Sequence, residues 1–155
     1  MARPVTNTET TLHLQRTFAA PRERVFRAWT DPEELKRWWC PEGWTSAGVE
    51  IDLRTGGEYR IGMKKLAGGD LLYITGKYLE VRPPQKLVYT WNWQGAFPGM
   101  PETRVTVEFV DVGGATEVFL THENFPNAEI MAEHNKGWTG VLDRLANTLS
   151  SSLSS

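Results

Sequence analysis

Cysteine is almost absent from this sequence, Cys40 being the only one in 155 residues. A single thiol excludes an internal disulfide, so the core alone must hold the fold, and the reducing cytoplasm is the expected compartment. Histidine is scarce as well. His13, His122 and His134 show no His-Glu-x-x-His or paired-cysteine spacing, so no metal and no cofactor is expected. Charge of one sign is also lacking: 17 Lys and Arg against 19 Asp and Glu leave a formal −2. That balance gives no field that would favour a nucleic-acid backbone or an anionic membrane. No apolar run approaches the roughly 20 residues that span a bilayer, and Met1 to Thr11 has no apolar centre of a signal peptide. The serines cluster in a C-terminal tail without a Gly-x-Ser-x-Gly elbow, and the diglycines lack a phosphate-loop pattern. Neither a nucleophilic triad nor a nucleotide site is supported. The basic positions Arg22, Arg24 and Arg27 interleave with Glu23 and read as a solvated helix face.

What the sequence does have is tryptophan, seven in a chain long enough for one domain with its own core. Residues 1–10 read as a disordered lead. Leu12, Leu14 and Phe18 then alternate with polar positions as a first strand. Pro21 opens a short helix carrying Val25, Phe26 and Trp29. Asp31, Pro32 and Glu34 supply the N-cap, first-turn proline and capping box of a second. Leu35, Trp38 and Trp39 are its apolar side, and Pro41 with Gly43 ends it. The period then changes from 3.6 to 2. Val49, Ile51 and Leu53 share a face; Tyr59, Ile61 and Met63 follow Gly56-Gly57; Leu72, Ile74 and Tyr78 follow Gly68-Gly69-Asp70. Beyond Pro83-Pro84 come Leu87, Tyr89, Trp91 and Trp93. A Gly/Pro-rich loop (95–101) precedes Val105, Val107 and Phe109, and Gly113-Gly114 turns into Val118, Leu120 and His122. Turns at this spacing predict an antiparallel meander. Asn127 caps a final helix, expected to run to Ser150 over about 36 Å. Its stripe is Ile130, His134, Trp138, Val141, Leu142, Leu145 and Leu149. Residues 151–155 read as a fraying tail.

The order strand, two short helices, six strands, long helix predicts an α+β fold. In it a curved seven-stranded antiparallel sheet closes around the terminal helix. One helix does not fill the hollow of a strongly curved sheet, so a cavity is expected between them. The inward set is Ile51, Tyr59, Ile61, Met63, Ile74, Tyr78, Tyr89, Trp91, Trp93, Val107, Val118, Leu120 and His122, with Trp138 and Leu142 from the helix. Apolar walls with sparse polar groups suit a small-molecule site. Aromatic stripes at these periods also build ordinary cores.

Several motifs come in order. They are Phe26-x-x-Trp29-Thr30-Asp31-Pro32-x-x-Leu35-x-x-Trp38-Trp39, Pro41-x-Gly43, Asp52 before Gly56-Gly57-x-Tyr59, and Gly76 before Pro83-Pro84-x-x-Leu87-Val88. Thr116, Thr121-His122, Phe125-Pro126 and Gly137-Trp138 complete the set. Over residues 11 to 150 the chain resembles the SRPBCC superfamily, also called START-like or birch-pollen-allergen-like. Within it, the chain is similar to the activator of 90 kDa heat shock protein ATPase homologue-like group of stand-alone bacterial proteins. The resemblance implies the helix-grip fold. It implies function only loosely, since the superfamily holds lipid carriers, hormone receptors, polyketide cyclases and co-chaperone domains. The group's name suggests a chaperone partner. Eukaryotic co-chaperones carry this fold behind a separate N-terminal domain for which these residues leave no room, so the name is not expected to describe the activity. Similar sequences have glycine where Cys40 stands. Beside Trp38, Trp39 and Pro41 this thiol is either a reactive group at the cavity mouth or a small half-buried apolar residue, and the lack of a neighbouring His or Lys favours the second.

Three functional expectations follow. The first is a cytoplasmic binding module for a hydrophobic or amphipathic small molecule, lined by Trp39, Tyr59, Ile61, Met63, Ile74, Tyr78, Tyr89, Trp91, Trp93, Leu120, His122, His134, Trp138 and Leu142. The second is a cyclase- or dehydratase-like enzyme, with His122 or His134 as acid–base group and a cavity tyrosine orienting the substrate. The third is a protein-interaction role, co-chaperone or homodimer, through exposed Phe97, Met100 or Trp44, with the 95–101 loop alternatively a lid.

Overall fold

The structure, a computed structural model, describes residues 11–40, 43–69 and 71–154. The expected lead over 1–10, Pro41 at the end of the second helix and Asp70 in its turn lie outside the described residues. Strand β1 (Leu12–Phe18) buries Leu12 and Phe18 and turns His13, Gln15 and Thr17 to solvent. Helices α1 (Arg22–Thr30) and α2 (Pro32–Trp38) follow with Asp31 between them. The Asp31 carboxylate accepts the backbone N–H groups of Glu33 (2.9 Å) and Glu34 (3.3 Å), the N-cap that the sequence predicts. The capping box does not close. The Asp31 N–H already donates to the Arg27 carbonyl (2.9 Å) as the last bond of α1, so Glu34 has no donor to reach back to. Glu34 instead pairs with Arg24 at 3.0 Å, across the two helices. The expected solvated basic face is therefore corrected at Arg24, whose side chain is only 13% exposed.

Six strands then run as a meander: β2 (Trp44–Ile51), β3 (Glu58–Lys65), β4 (Leu71–Arg82), β5 (Lys86–Gln94), β6 (Thr103–Asp111) and β7 (Thr116–Glu123). Every neighbouring pair is antiparallel, and the sheet order is β1-β7-β6-β5-β4-β3-β2. The α1–α2 excursion thus carries the chain from one sheet edge to the other. Leu53, expected to share a strand face with Val49 and Ile51, lies beyond β2 in the turn before Gly57 and is exposed. Two irregularities bend the sheet. One lies at Gly48 (φ +115°) between Ser46 and Val49, the other between Tyr78 and Glu80, where Leu79 turns outward.

Gly76 sits beside the second irregularity, where β4 approaches β5 and the ring of Tyr59 crosses it. A Cβ there would overlap the Thr90 carbonyl and the Tyr59 ring. Gly76→Ala is therefore expected to lower unfolding free energy by about 1–3 kcal/mol. Urea denaturation checks this, and an unchanged midpoint would show that the strand can give way.

Helix α3 (Ala128–Ser154) closes the concave side. Asn127 Oδ1 accepts the Ile130 N–H at 2.9 Å, and the helix runs past the expected end at Ser150. His134, Trp138, Val141, Leu142, Leu145 and Leu149 are buried against the sheet, each aliphatic contributing about 1.5–3 kcal/mol. An Arg16–Asp143 ion pair ties α3 to β1, and the Arg144 guanidinium donates to the Cys40 carbonyl beyond α2. This is the α+β helix-grip fold.

Candidate functional site

The space between sheet and helix is divided. Toward the N-terminal half of α3 lies a chamber of about 180 Å³. Met63, Ile74, Trp91 and Trp93 wall it from the sheet, Trp39 from the end of α2, Phe97 from the 95–101 loop, and Glu133, His134, Gly137, Trp138 and Val141 from α3. Deeper between the layers is a void of only about 20 Å³, ringed by residues that include Tyr59, Ile61, Tyr78 and Tyr89. That is room for about one water. Trp39 and Trp91 line both spaces and stand 5.8 Å apart, so they form the partition. A wider groove of about 600 Å³ runs between Glu50, Glu58, Arg60, Lys77 and Glu102. Its charged, mixed-sign lining reads as ordinary solvent face.

The indoles of the chamber meet at steep angles: Trp39 and Trp138 at 88° (5.4 Å), Trp91 and Trp93 at 79° (5.8 Å). The edge-to-face geometry follows from the ring quadrupoles. The N–H groups of Trp93 and Trp138 are spent inside the protein. Trp93 Nε1 donates to His134 Nε2 at 2.8 Å, and His134 Nδ1 donates to the Ile130 carbonyl at 2.9 Å. Trp138 Nε1 donates to His122 Nδ1 at 3.1 Å, which leaves His122 Nε2–H to donate to Thr103 Oγ1 at 2.8 Å. Thr103 in turn donates to the Trp91 carbonyl at 3.2 Å. An indole only donates and a carbonyl only accepts, so the two imidazoles are fixed as neutral, opposite tautomers. Burial pushes the pKa of His122 well below the usual histidine value, with His134 pushing the same way. Burial lowers that of His134 too, opposed by the Ile130 carbonyl and Glu133. The Trp91 N–H is buried and has no partner among the described residues.

Against the sequence-derived lining, the placements fall into three groups. Trp39, Met63, Ile74, Trp91, Trp93, His134 and Trp138 meet at the chamber. Tyr59, Ile61, Tyr78 and Tyr89 lie with the small void, and burial holds the three phenols above their usual pKa. Leu120, His122 and Leu142 border neither space. No tyrosine bonds to either candidate acid–base group; the partners of His122 are Thr103 and Trp138, and those of His134 are Trp93 and Ile130. Sequence reasoning missed Phe97, Glu133, Gly137 and Val141 as lining. Phe97 stacks on His134 (4.8 Å) and Trp93 (5.3 Å). Phe97, Met100 and Trp44 are half-buried, a correction to their expected exposure: the loop brings Phe97 onto His134 and Trp93, and Met100 and Trp44 pack against the core. Among the described residues, the exposed large apolar side chains are instead Leu53, Leu66, Leu71, Leu79, Val110 and Val112. Cys40 is partly buried, and burial raises its thiol pKa against the opposing pull of Arg144. The thiol stays protonated, as a small apolar residue would be. Among the described residues no group of three His, Cys, Asp or Glu could hold a metal ion, and no helix is long and apolar enough to cross a membrane.

A bent sheet gripping one long helix over an aromatic chamber defines the helix-grip class, whose members commonly bind ligands. The family model described as Activator of Hsp90 ATPase homolog 1-like protein matches residues 19–150, and the chain belongs to that family. Among solved structures it is similar to a protein of Chromobacterium violaceum, at 30% identity and a TM-score of 0.79, covering 90% of this chain and 96% of that one. It is also similar to the AHSA1 protein of Silicibacter pomeroyi, at 30% identity and a TM-score of 0.78, covering 90% and 97%. An AHSA1-like protein of Aeromonas hydrophila, at 24% identity and a TM-score of 0.78 over 92% and 93%, shares the fold. No curated protein matches the chain.

Proposed function

We propose that this protein binds a small apolar or amphipathic molecule, of about one or two rings, in the chamber between α3 and strands β3 to β5. The supporting observation is the chamber itself: about 180 Å³ of space walled by four tryptophans and a phenylalanine. An apolar cavity of ~150 Å³ is enough for benzene, so the space suits a ring or a compact branched group. A long acyl chain would leave most of its length outside. The cytoplasm, in the absence of any disulfide, remains the expected compartment. The enzyme reading has less support, since both imidazoles have spent their nitrogens on structural bonds. The interaction reading has less support too, since Phe97, Met100 and Trp44 are half-buried rather than exposed.

Gly137 provides the test. Glycine inside a helix is about 1 kcal/mol less favourable than alanine, yet a Cβ here would meet nothing within 4 Å. The missing side chain leaves the helix wall of the chamber open. Gly137→Leu should therefore raise stability by up to about 1 kcal/mol while filling that wall. With 4-methylphenol as probe, the native protein is expected to show a rise in Tm and a change in indole fluorescence, and the variant neither. Equal responses from both proteins would place the probe elsewhere.

A further inference from the structure

We infer that the chamber is built for an organic cation, an amine or quaternary ammonium group on a compact apolar body. The inference rests on the ligand-binding reading above and narrows its chemistry. Three observations carry it. Four indoles line the space, Trp39 meeting Trp138 and Trp91 meeting Trp93 at steep mutual angles, so they present rings in more than one orientation. The negative face of each ring attracts a cation held within about 6 Å, most strongly for tryptophan. Among the described residues no Lys or Arg lines the chamber, and its imidazole is neutral with both nitrogens engaged. A carboxylate or phosphate headgroup would find no positive partner among the lining residues. Among the described residues the one charged member of the lining is Glu133, exposed on α3 one turn before Gly137. On a helix, positions four apart share a face, so the carboxylate stands beside the gap that Gly137 leaves.

The alternatives fare worse on charge. An anionic amphiphile would carry its head past Glu133 into a wall without cations. A neutral molecule would fit the apolar walls but make no use of the carboxylate. Charge complementarity thus separates three ligands of one shape.

Choline, its carbon isostere 3,3-dimethylbutan-1-ol, and 3,3-dimethylbutanoate supply that comparison, titrated by indole fluorescence at about 20 mM salt. Choline is expected to bind about fivefold or more tighter than the alcohol, and the carboxylate weakest. Glu133→Gln is expected to shrink the choline-to-alcohol preference by about two- to fivefold, a modest change because the carboxylate is solvent-exposed. A folded Glu133→Gln protein is checked by its melting transition. If the alcohol binds as tightly as choline, or Glu133→Gln leaves the preference intact, the cation inference falls and the ligand chamber stands. If none of the three binds, and 4-methylphenol does not either, both fall together.

Discussion

Trp138→Ala is expected to lower unfolding free energy by about 3–5 kcal/mol, the range for deleting a buried aromatic side chain. The side chain is 2% exposed and packs on Trp39 (5.4 Å) and Trp91 (5.3 Å). Two costs add. The cavity left behind is one, and the other is His122 Nδ1, which loses its donor in a place without water. Trp138→Phe separates them by keeping most of the ring while removing the N–H. It is expected to cost about 1–3 kcal/mol, the penalty for an unsatisfied buried acceptor. Against a typical total of ~5–15 kcal/mol, the alanine variant would stand near the edge of folding. Urea denaturation of both variants measures the difference. If Trp138→Phe were as stable as the native protein, the bond to His122 would contribute nothing.

The second large effect is acid lability. His122 and His134 both have folded-state pKa values below the ordinary 6.5. Below that value the unfolded chain takes up protons that the folded chain refuses, so protonation favours unfolding. Stability is therefore complete above about pH 6.5 and falls as pH drops toward the depressed folded values, levelling off beneath them. Each histidine adds a slope of up to about 1.4 kcal/mol per pH unit across its window. His122 carries the wider window, because burial and the neighbouring His134 act in the same direction. For His134 the Ile130 carbonyl and Glu133 oppose burial. Protonation of His122 would also turn an N–H toward the Trp138 N–H. Urea midpoints taken from pH 7.5 to 5 should fall, with a smaller fall in a His122→Gln variant. A flat profile over that range would mean that the imidazoles accept protons without loss.

Much of this architecture was legible because it follows from periodicity. The strands of Tyr59 to Met63 and Val105 to Phe109, the cap at Asp31 and the stripe of α3 are local signals that tertiary packing reinforced. Other features depend on occupied volume, which periodicity does not carry. The residues expected to line a cavity are buried or half-buried, but nothing in the alternation indicates that Trp39 and Trp91 meet and divide the hollow. Nor does it show that four tyrosine- and isoleucine-bearing positions pack down to the size of one water. Gly137 leaves no periodic trace because its contribution is an absent side chain, and Glu133 falls on the polar side of the helical pattern. The partners of His122 escaped for a different reason. An acid or a tyrosine is the usual orienting group, whereas here a threonine on the adjacent strand β6 and a helix tryptophan supply both bonds. Phe97 turned inward because its loop could cover the open end of the aromatic cluster.

Ligand binding requires above all that the chamber be reachable from solution. The indole N–H resonances of the ¹⁵N-labelled protein, recorded while 4-methylphenol is added, test this most directly. The signals of Trp39, Trp91, Trp93 and Trp138 should shift saturably, with Trp44 remaining still and Gly137→Leu abolishing the shifts. Resonances that stay fixed at saturating probe, or that move only at Trp44, would contradict it.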